Sequence, residues 1–179
     1  MDAFSFLRRR TFLKLGLVGL AGLGAAAGGL VSMRGSAPPV AGLSVLDAHR
    51  FATMLAIAEA QLPLEGVAGA ADRLARMFDG FLQGEPAENV ADLRTALLLV
   101  DYGPLLFEGR FVAFSKLALD ERRRHWRNWM ESELALRRQV SLAFRKFLHV
   151  VFFDDPTVWP KIGYPGPSLW GMPDVGATP

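Results

Sequence analysis

Apolar side chains recur at three- and four-residue intervals along most of the chain. Because an α-helix turns once in about 3.6 residues, this spacing places them on one face of each of a series of helices. The predicted helices span residues 45–61, 70–82, 87–102, 105–114, 121–130 and 132–153. No segment is typical of a strand, so the sequence predicts an all-α fold, a small helical bundle with an extended C-terminal tail.

Residues that favour caps and turns separate these helices. Ser44 and Asp47 resemble a capping box before the first helix, and Asp120 is the expected N-cap of the fifth. Pro63 and Gly84 are expected to end the first and second helices. The residues expected to face the core are Phe51, Leu55, Ala58, Leu62, Leu74, Met77, Phe78, Phe81, Leu93, Leu97, Val100, Phe107, Phe111, Phe114, Leu136, Val140, Phe144, Phe147 and Val151.

The N-terminal segment carries a basic motif directly before an uncharged apolar run, 15–31. The motif resembles a twin-arginine export signal, with Arg8 in place of the usual leading Ser or Thr. The matching residues are Arg9, Arg10, Phe12, Leu13 and Lys14. Such a signal implies that the twin-arginine translocase carries the folded protein to the periplasm. A transmembrane helix is the alternative, but six glycines in the run, each costing about 1 kcal/mol of helix stability, favour a signal peptide.

A candidate cleavage site follows the apolar run. Gly35, Ser36 and Ala37 are small residues of the kind that a signal peptidase accepts, but Pro38 would directly follow the cut. The sequence leaves open whether the leader is removed or retained as a membrane anchor.

The basic balance of the chain belongs to this leader. The whole chain has a formal net charge of +2, but residues 1–41 hold five basic side chains and one acidic one, a charge of +4. The rest therefore carries −2, which argues against nucleic acid as a partner.

The chain has no cysteine and three histidines, His49, His125 and His149. Disulfides, thiolate metal sites and covalent haem attachment are therefore excluded. No two histidines have the spacing of a helical metal site, and each is expected at the surface or at the edge of the core.

Beyond a helical domain at 42–155, the segment 156–179 is rich in proline and aromatic residues and is expected to be extended. Large apolar side chains cost free energy in water, so this tail should cover its own bundle or another chain. The residues expected to contact a partner are Trp159, Ile162, Tyr164, Pro165, Gly166, Pro167 and Trp170.

Several elements together resemble the gluconate 2-dehydrogenase subunit 3 family. They lie within 43–167, and the sharpest is Gly-Tyr-Pro-Gly-Pro at 163–167. The weaker elements are 110–117, 121–122, 126–132 and 152–156. The resemblance implies an accessory chain without catalytic residues, which accompanies a FAD-dependent oxidoreductase of the glucose-methanol-choline type, often together with a cytochrome c.

The residues themselves agree with such a role. No Gly-x-Gly-x-x-Gly motif follows a predicted strand, so we expect no cofactor on this chain. The resemblance implies that FAD is bound by the partner. A partner that takes up FAD in the cytoplasm can cross the membrane bound to a chain that carries the export signal. If the leader is retained, it also associates the complex with the membrane.

Other hypotheses belong to different classes. A stand-alone periplasmic binding or structural protein is one, and a small enzyme using carboxylates such as Asp154 and Asp155 is another. The cluster 122–127, with Trp126 and Trp129, could bind lipid headgroups or a subunit, although a solvated helix face with buried tryptophans is the plainer interpretation.

Overall fold

The computed structural model describes residues 33–64 and 67–165. This part of the chain contains six α-helices and two short 3-10 helices, at Phe114–Lys116 and Trp159–Ile162, and no strand. The all-α prediction is therefore confirmed. The α-helices are α1 (Ala48–Gln61), α2 (Ala70–Gln83), α3 (Ala87–Asp101), α4 (Gly103–Glu108), α5 (Leu119–Met130) and α6 (Ala135–Asp154).

Helix α1 is the centre of the bundle, and it packs against α2, α3, α5 and α6. Met54 and Ile57 on this helix have no exposed surface. Because α1 is surrounded on most sides, small residues such as Ala56 and Ala58 are also buried, and they let neighbouring helices approach closely.

Aromatic side chains fill much of the core around α1. The ring of Phe78 on α2 lies 5.8 Å from Phe144 and 4.9 Å from Phe147, both on α6. On α5, Trp126 and Trp129 are both fully buried. Burying about 200 Å² of each indole contributes roughly 5 kcal/mol of transfer free energy, before the entropy cost of ordering.

Most residues expected in the core are buried or half-buried, but two predictions were wrong. Met77 is 49% exposed, because α2 turns Leu74 and Phe78 inward and leaves Met77 on its outer face. Phe111 is 79% exposed. It lies outside any helix, because α4 ends at Glu108 and the chain leaves it through Gly109 at φ 66°. The predicted helix 105–114 is thus a shorter helix followed by an irregular segment.

The predicted helix caps also differ in detail. Asp47, rather than Ser44, is the N-cap of α1, where its carboxylate accepts a 2.8 Å hydrogen bond from the Arg50 backbone N–H. Helix α5 begins at Leu119, so Asp120 lies in its first turn instead of capping it. A carboxylate there still faces the positive end of the helix dipole.

The described part of the predicted tail is not extended throughout. Within the described residues 156–165, Val158 is buried and Trp159–Ile162 forms a 3-10 helix. Pro160 fits the first turn of that helix because its fixed φ suits helical backbone, and Gly163 closes it at φ 69°.

Across 33–64 and 67–165, no helix is both long enough and apolar enough to span a bilayer.

Candidate partner-binding surface

Four of the residues predicted to contact a partner lie within the described chain. Ile162 and Tyr164 are 46% and 43% exposed, Pro165 is exposed, and Trp159 is half-buried. The other three lie outside the described residues, as do all five residues of the predicted export signal. Those residues are Gly166, Pro167, Trp170, Arg9, Arg10, Phe12, Leu13 and Lys14.

The tail is attached to the end of α6 through Trp159. Its indole Nε1–H donates a 2.8 Å hydrogen bond to the carbonyl of Phe153. The ring of Tyr164 meets the Trp159 ring edge to face, with centroids 5.5 Å apart, and the Tyr164 N–H donates to the Trp159 carbonyl at 2.9 Å. An edge-to-face pair of this kind is favourable beyond the area it buries. The two aromatic residues therefore form one unit beside the helix end.

Asp155 fixes the turn that leads into this unit. Its carboxylate accepts hydrogen bonds from the Thr157 N–H at 2.9 Å and the Thr157 hydroxyl at 2.7 Å, and Arg73 lies 3.5 Å away. Partial burial acts to raise the pKa of Asp155, but these hydrogen bonds and the Arg73 charge outweigh it and lower the pKa. These contacts hold the turn between α6 and the 3-10 helix in place.

An apolar stripe runs along the solvent side of α6 and ends at the tail. Leu142, Val150 and Phe153 are 43%, 71% and 49% exposed. Positions eight and eleven residues apart share a helix face, so these three side chains, the α6 stripe, lie on one side. Phe153 also links the stripe to the tail, because its carbonyl receives the Trp159 hydrogen bond.

The sequence pattern had identified only the inner face of α6, through residues such as Val140 and Phe144. A helix that is apolar on both sides departs from the usual pattern of a surface helix, and this was the available signal for the stripe. Exposed charges around it are basic, at Arg138, Arg145 and Lys146. Lys146 is four residues from both Leu142 and Val150, so a positive charge lies between these two apolar side chains on the same face.

A second feature is an open cleft of about 440 Å³ at one side of α5. It is polar, and it lies where the sequence showed an arginine cluster. The residues that line it are Glu108, Arg110, Glu121, Arg124, His125, Arg127 and Asn128. Arg110 and Glu121 form an ion pair across it at 2.8 Å.

The arginine cluster at 122–127 does not act as one unit. Arg122 pairs with Glu59 on α1, and its Nη2 donates a 2.8 Å hydrogen bond to the Leu117 carbonyl. Trp126 and Trp129 are fully buried and so cannot contact a lipid surface. The interpretation with buried tryptophans is correct, and the lipid hypothesis loses its aromatic residues.

Behind the cleft, His125 is buried, contrary to the expectation that it would lie at the surface or core edge. Trp129 Nε1–H donates to His125 Nε2 at 3.0 Å, and His125 Nδ1 lies 2.6 Å from a Glu108 carboxylate oxygen. Because an indole can only donate, Nε2 must carry the lone pair, and the ring proton sits on Nδ1 and donates to Glu108. Burial lowers the pKa of His125, although the hydrogen bond and charge of Glu108 act to raise it.

A glycine makes this arrangement possible. A Cβ atom added at Gly103 would lie 2.8 Å from His125 Nε2 and 2.9 Å from a ring carbon of Trp129. The Arg137 guanidinium lies over the rings of Phe107 and Trp129, at 4.8 and 5.4 Å. Sequence reasoning missed this packed group, because its members come from three separate helices, α4, α5 and α6.

No protein-family model, no curated protein and no solved structure matches the chain. Within the described residues, no group of three or more histidine, cysteine, aspartate or glutamate side chains is arranged to hold a metal ion.

Proposed function

We propose that this chain is a non-catalytic small subunit of a periplasmic FAD-dependent dehydrogenase of the glucose-methanol-choline type, acting on a sugar or alcohol. It aids the folding and assembly of the flavoprotein subunit and carries it through the twin-arginine translocase. FAD belongs to the partner, and a cytochrome c subunit can complete the electron path. The resemblance to the gluconate 2-dehydrogenase subunit 3 family, centred on residues 163–167, supports this proposal.

The observation that carries the proposal is the set of exposed apolar side chains of the α6 stripe next to the aromatic tail. Large apolar side chains concentrated on one surface are typical of a protein contact site. Trp159 and Tyr164 are residue types that often dominate binding energy, and they are already held in place by the hydrogen bond to Phe153. Their preorganisation lowers the entropy lost when a partner binds.

Export of this chain bound to the flavoprotein would explain why one chain carries both a predicted export signal and an exposed apolar surface. A flavoprotein acquires FAD where FAD is made, and twin-arginine export accepts folded proteins. Binding to the α6 stripe before export would let one leader serve both chains.

The test is affinity purification of the C-terminally tagged chain from its native host, followed by an absorption spectrum and mass spectrometry. We expect a large flavoprotein to co-purify, with flavin absorption at about 450 nm. The double variant Val150→Asp/Phe153→Asp should reduce the recovered flavin at least about tenfold, because it places two charges in the contact.

Ala91→Asp is the matched control, since Ala91 is an exposed residue on α3 and not part of the stripe. It should recover as much flavin as the natural chain. A folded, colourless chain that elutes alone would refute the subunit proposal and favour a stand-alone periplasmic protein. Equal recovery with the double variant would instead place the contact elsewhere.

A further inference from the structure

The segment between the predicted leader and α1 is attached to the helical bundle along its length. Lys116 Nζ donates a 3.2 Å hydrogen bond to the Ser36 carbonyl. Arg76 on α2 donates from Nη1 to the Ala41 carbonyl at 3.0 Å. Side chains of the folded domain therefore hold the backbone that the sequence suggested was a simple linker.

A buried ion pair attaches the segment at Arg34. Its Nε lies 2.7 Å from Asp101 Oδ2, and the two side chains are only 13% and 1% exposed. Asp101 also accepts a 3.1 Å hydrogen bond from the Ser115 N–H, and the Arg34 guanidinium lies over the Tyr102 ring at 5.6 Å. We name the pair of Arg34 and Asp101 the latch. Opening it would leave a carboxylate buried without its cation, which is strongly unfavourable.

The latch lies next to the predicted cleavage site. Arg34 directly precedes Gly35, Ser36 and Ala37, the three small residues that a signal peptidase would have to bind. Gly35 is in the left-handed region at φ 60°, whereas a peptide bound in a protease cleft is extended. Cleavage after Ala37 would therefore require the latch to open and Gly35 to change conformation.

The latch can act because the chain folds before it meets signal peptidase. A twin-arginine substrate folds before it crosses the membrane, so the latch is already closed when the chain meets the peptidase. We propose that the latch withholds the site at 35–37 from signal peptidase, so that the leader stays on the folded protein and tethers it to the membrane. This inference rests on the export step of the proposed function.

The first test is the mass of the chain recovered from the native host after export. We expect the natural chain in the membrane fraction with its leader attached. Because Pro38 after Ala37 would itself disfavour the cut, the latch variants and the chain with an intact latch are all compared in a Pro38→Ala background. Asp101→Asn keeps an acceptor for the Ser115 N–H but removes the charge, and a large share of this variant should be cut after Ala37 and recovered in the soluble periplasm. Arg34→Gln is a second variant with the same expected result. Glu121→Gln, which alters an exposed ion pair with Arg110, is the control and should keep its leader.

The second test uses the purified full chain and trypsin. Trypsin must take the Arg34 side chain into its own pocket, so the bond between Arg34 and Gly35 should be cut only when the latch is open. Because such cleavage follows the population of the open state, we expect it to be at least about tenfold faster in Asp101→Asn than in the natural chain. Glu121→Gln should leave the rate unchanged. This assay needs neither export nor a partner.

The outcomes separate this inference from the proposed function. If replacing both Arg9 and Arg10 with Lys leaves export unchanged, the export proposal fails, while the trypsin result still tests the latch. If the natural chain is exported and found cut after Ala37, the latch proposal is overturned and the subunit proposal stands. If the natural chain and both latch variants all keep their leaders, the latch is not what protects the site.

Discussion

At the scale of single residues, the protein depends on a few close approaches in the interior. Gly103 begins α4 directly against the His125 and Trp129 side chains. The His125 ring is held between one donor, Trp129, and one acceptor, Glu108. Both features can be tested by small substitutions, because each depends on one or two atoms.

Gly103→Ala should destabilise the protein by about 1–3 kcal/mol, since the new methyl group would overlap buried side chains that have little room to move. Gly80→Ala is the matched control. Gly80 lies within α2 with open space around it, so alanine there should stabilise by about 0.5–1 kcal/mol. Urea unfolding followed by tryptophan fluorescence measures both. Equal effects of the two variants would contradict the close packing at Gly103.

His125 should make stability depend on pH. Because its pKa is lowered from 6.5, the folded protein binds fewer protons than the unfolded chain just below that pH. The free energy of unfolding should therefore fall as the pH drops below 6.5, until the folded-state pKa is also passed. Protonation would place a second donor on Nε2, facing the Trp129 N–H.

The measurement is urea unfolding at about pH 7.5 and at about pH 5.5. His125→Gln should reduce the loss of stability between the two, since glutamine does not titrate. His149, whose pKa is also lowered by burial, acts in the same direction, so some dependence should remain. A pH dependence that is unchanged by His125→Gln would contradict this account.

At the scale of elements, ionic and hydrogen-bonded contacts decide how the helices and connecting segments are joined. Asp79 on α2 is almost completely buried, and its carboxylate accepts hydrogen bonds from three successive backbone N–H groups. The donors are Ser44, Val45 and Leu46, at 2.7, 3.0 and 2.6 Å. The Asp79 side chain thus holds the segment that precedes α1 against α2.

Asp79→Ala should lower the free energy of unfolding by about 2–4 kcal/mol, because three partly buried donors lose a charged acceptor. Asp72→Ala, on the exposed side of the same helix, removes only an ion pair with Arg76 and should cost about 0.5 kcal/mol or less. Urea unfolding of the two variants, compared with the natural chain, tests the difference. If both variants cost the same, Asp79 does not organise this junction.

At the scale of the whole molecule, the proposed partner contact and the latch lie on different parts of the described chain. The α6 stripe and the Trp159 unit lie at the end of the chain, where a partner is proposed to bind. The latch lies at the other end of the described chain, beside the predicted leader. Because the two sites use different residues, variants such as Val150→Asp and Asp101→Asn should affect partner binding and leader retention independently.

The sequence alone was enough to predict six helices, although α1 begins at Ala48 rather than at 45, α4 ends at Glu108 rather than at 114, and α6 begins at Ala135 rather than at 132. Their spans follow from apolar spacing and from local breakers such as Pro63 and Gly84, and local interactions are visible in a single sequence. It did not determine which apolar residues stay exposed: Phe111 fitted a helical pattern, but the chain leaves the helix before it.

Tertiary structure decided the contacts between residues far apart in the chain. These hydrogen bonds and ion pairs form only where helices and connecting segments meet. They join Asp79 to the backbone before α1, His125 to Glu108 and Trp129, and Arg34 to Asp101. Charge, burial and distance act together at these points, and no local pattern encodes them. The sequence therefore predicted which segments are helices, and the packing of those helices determined which side chains hold the protein together and which ones stay exposed.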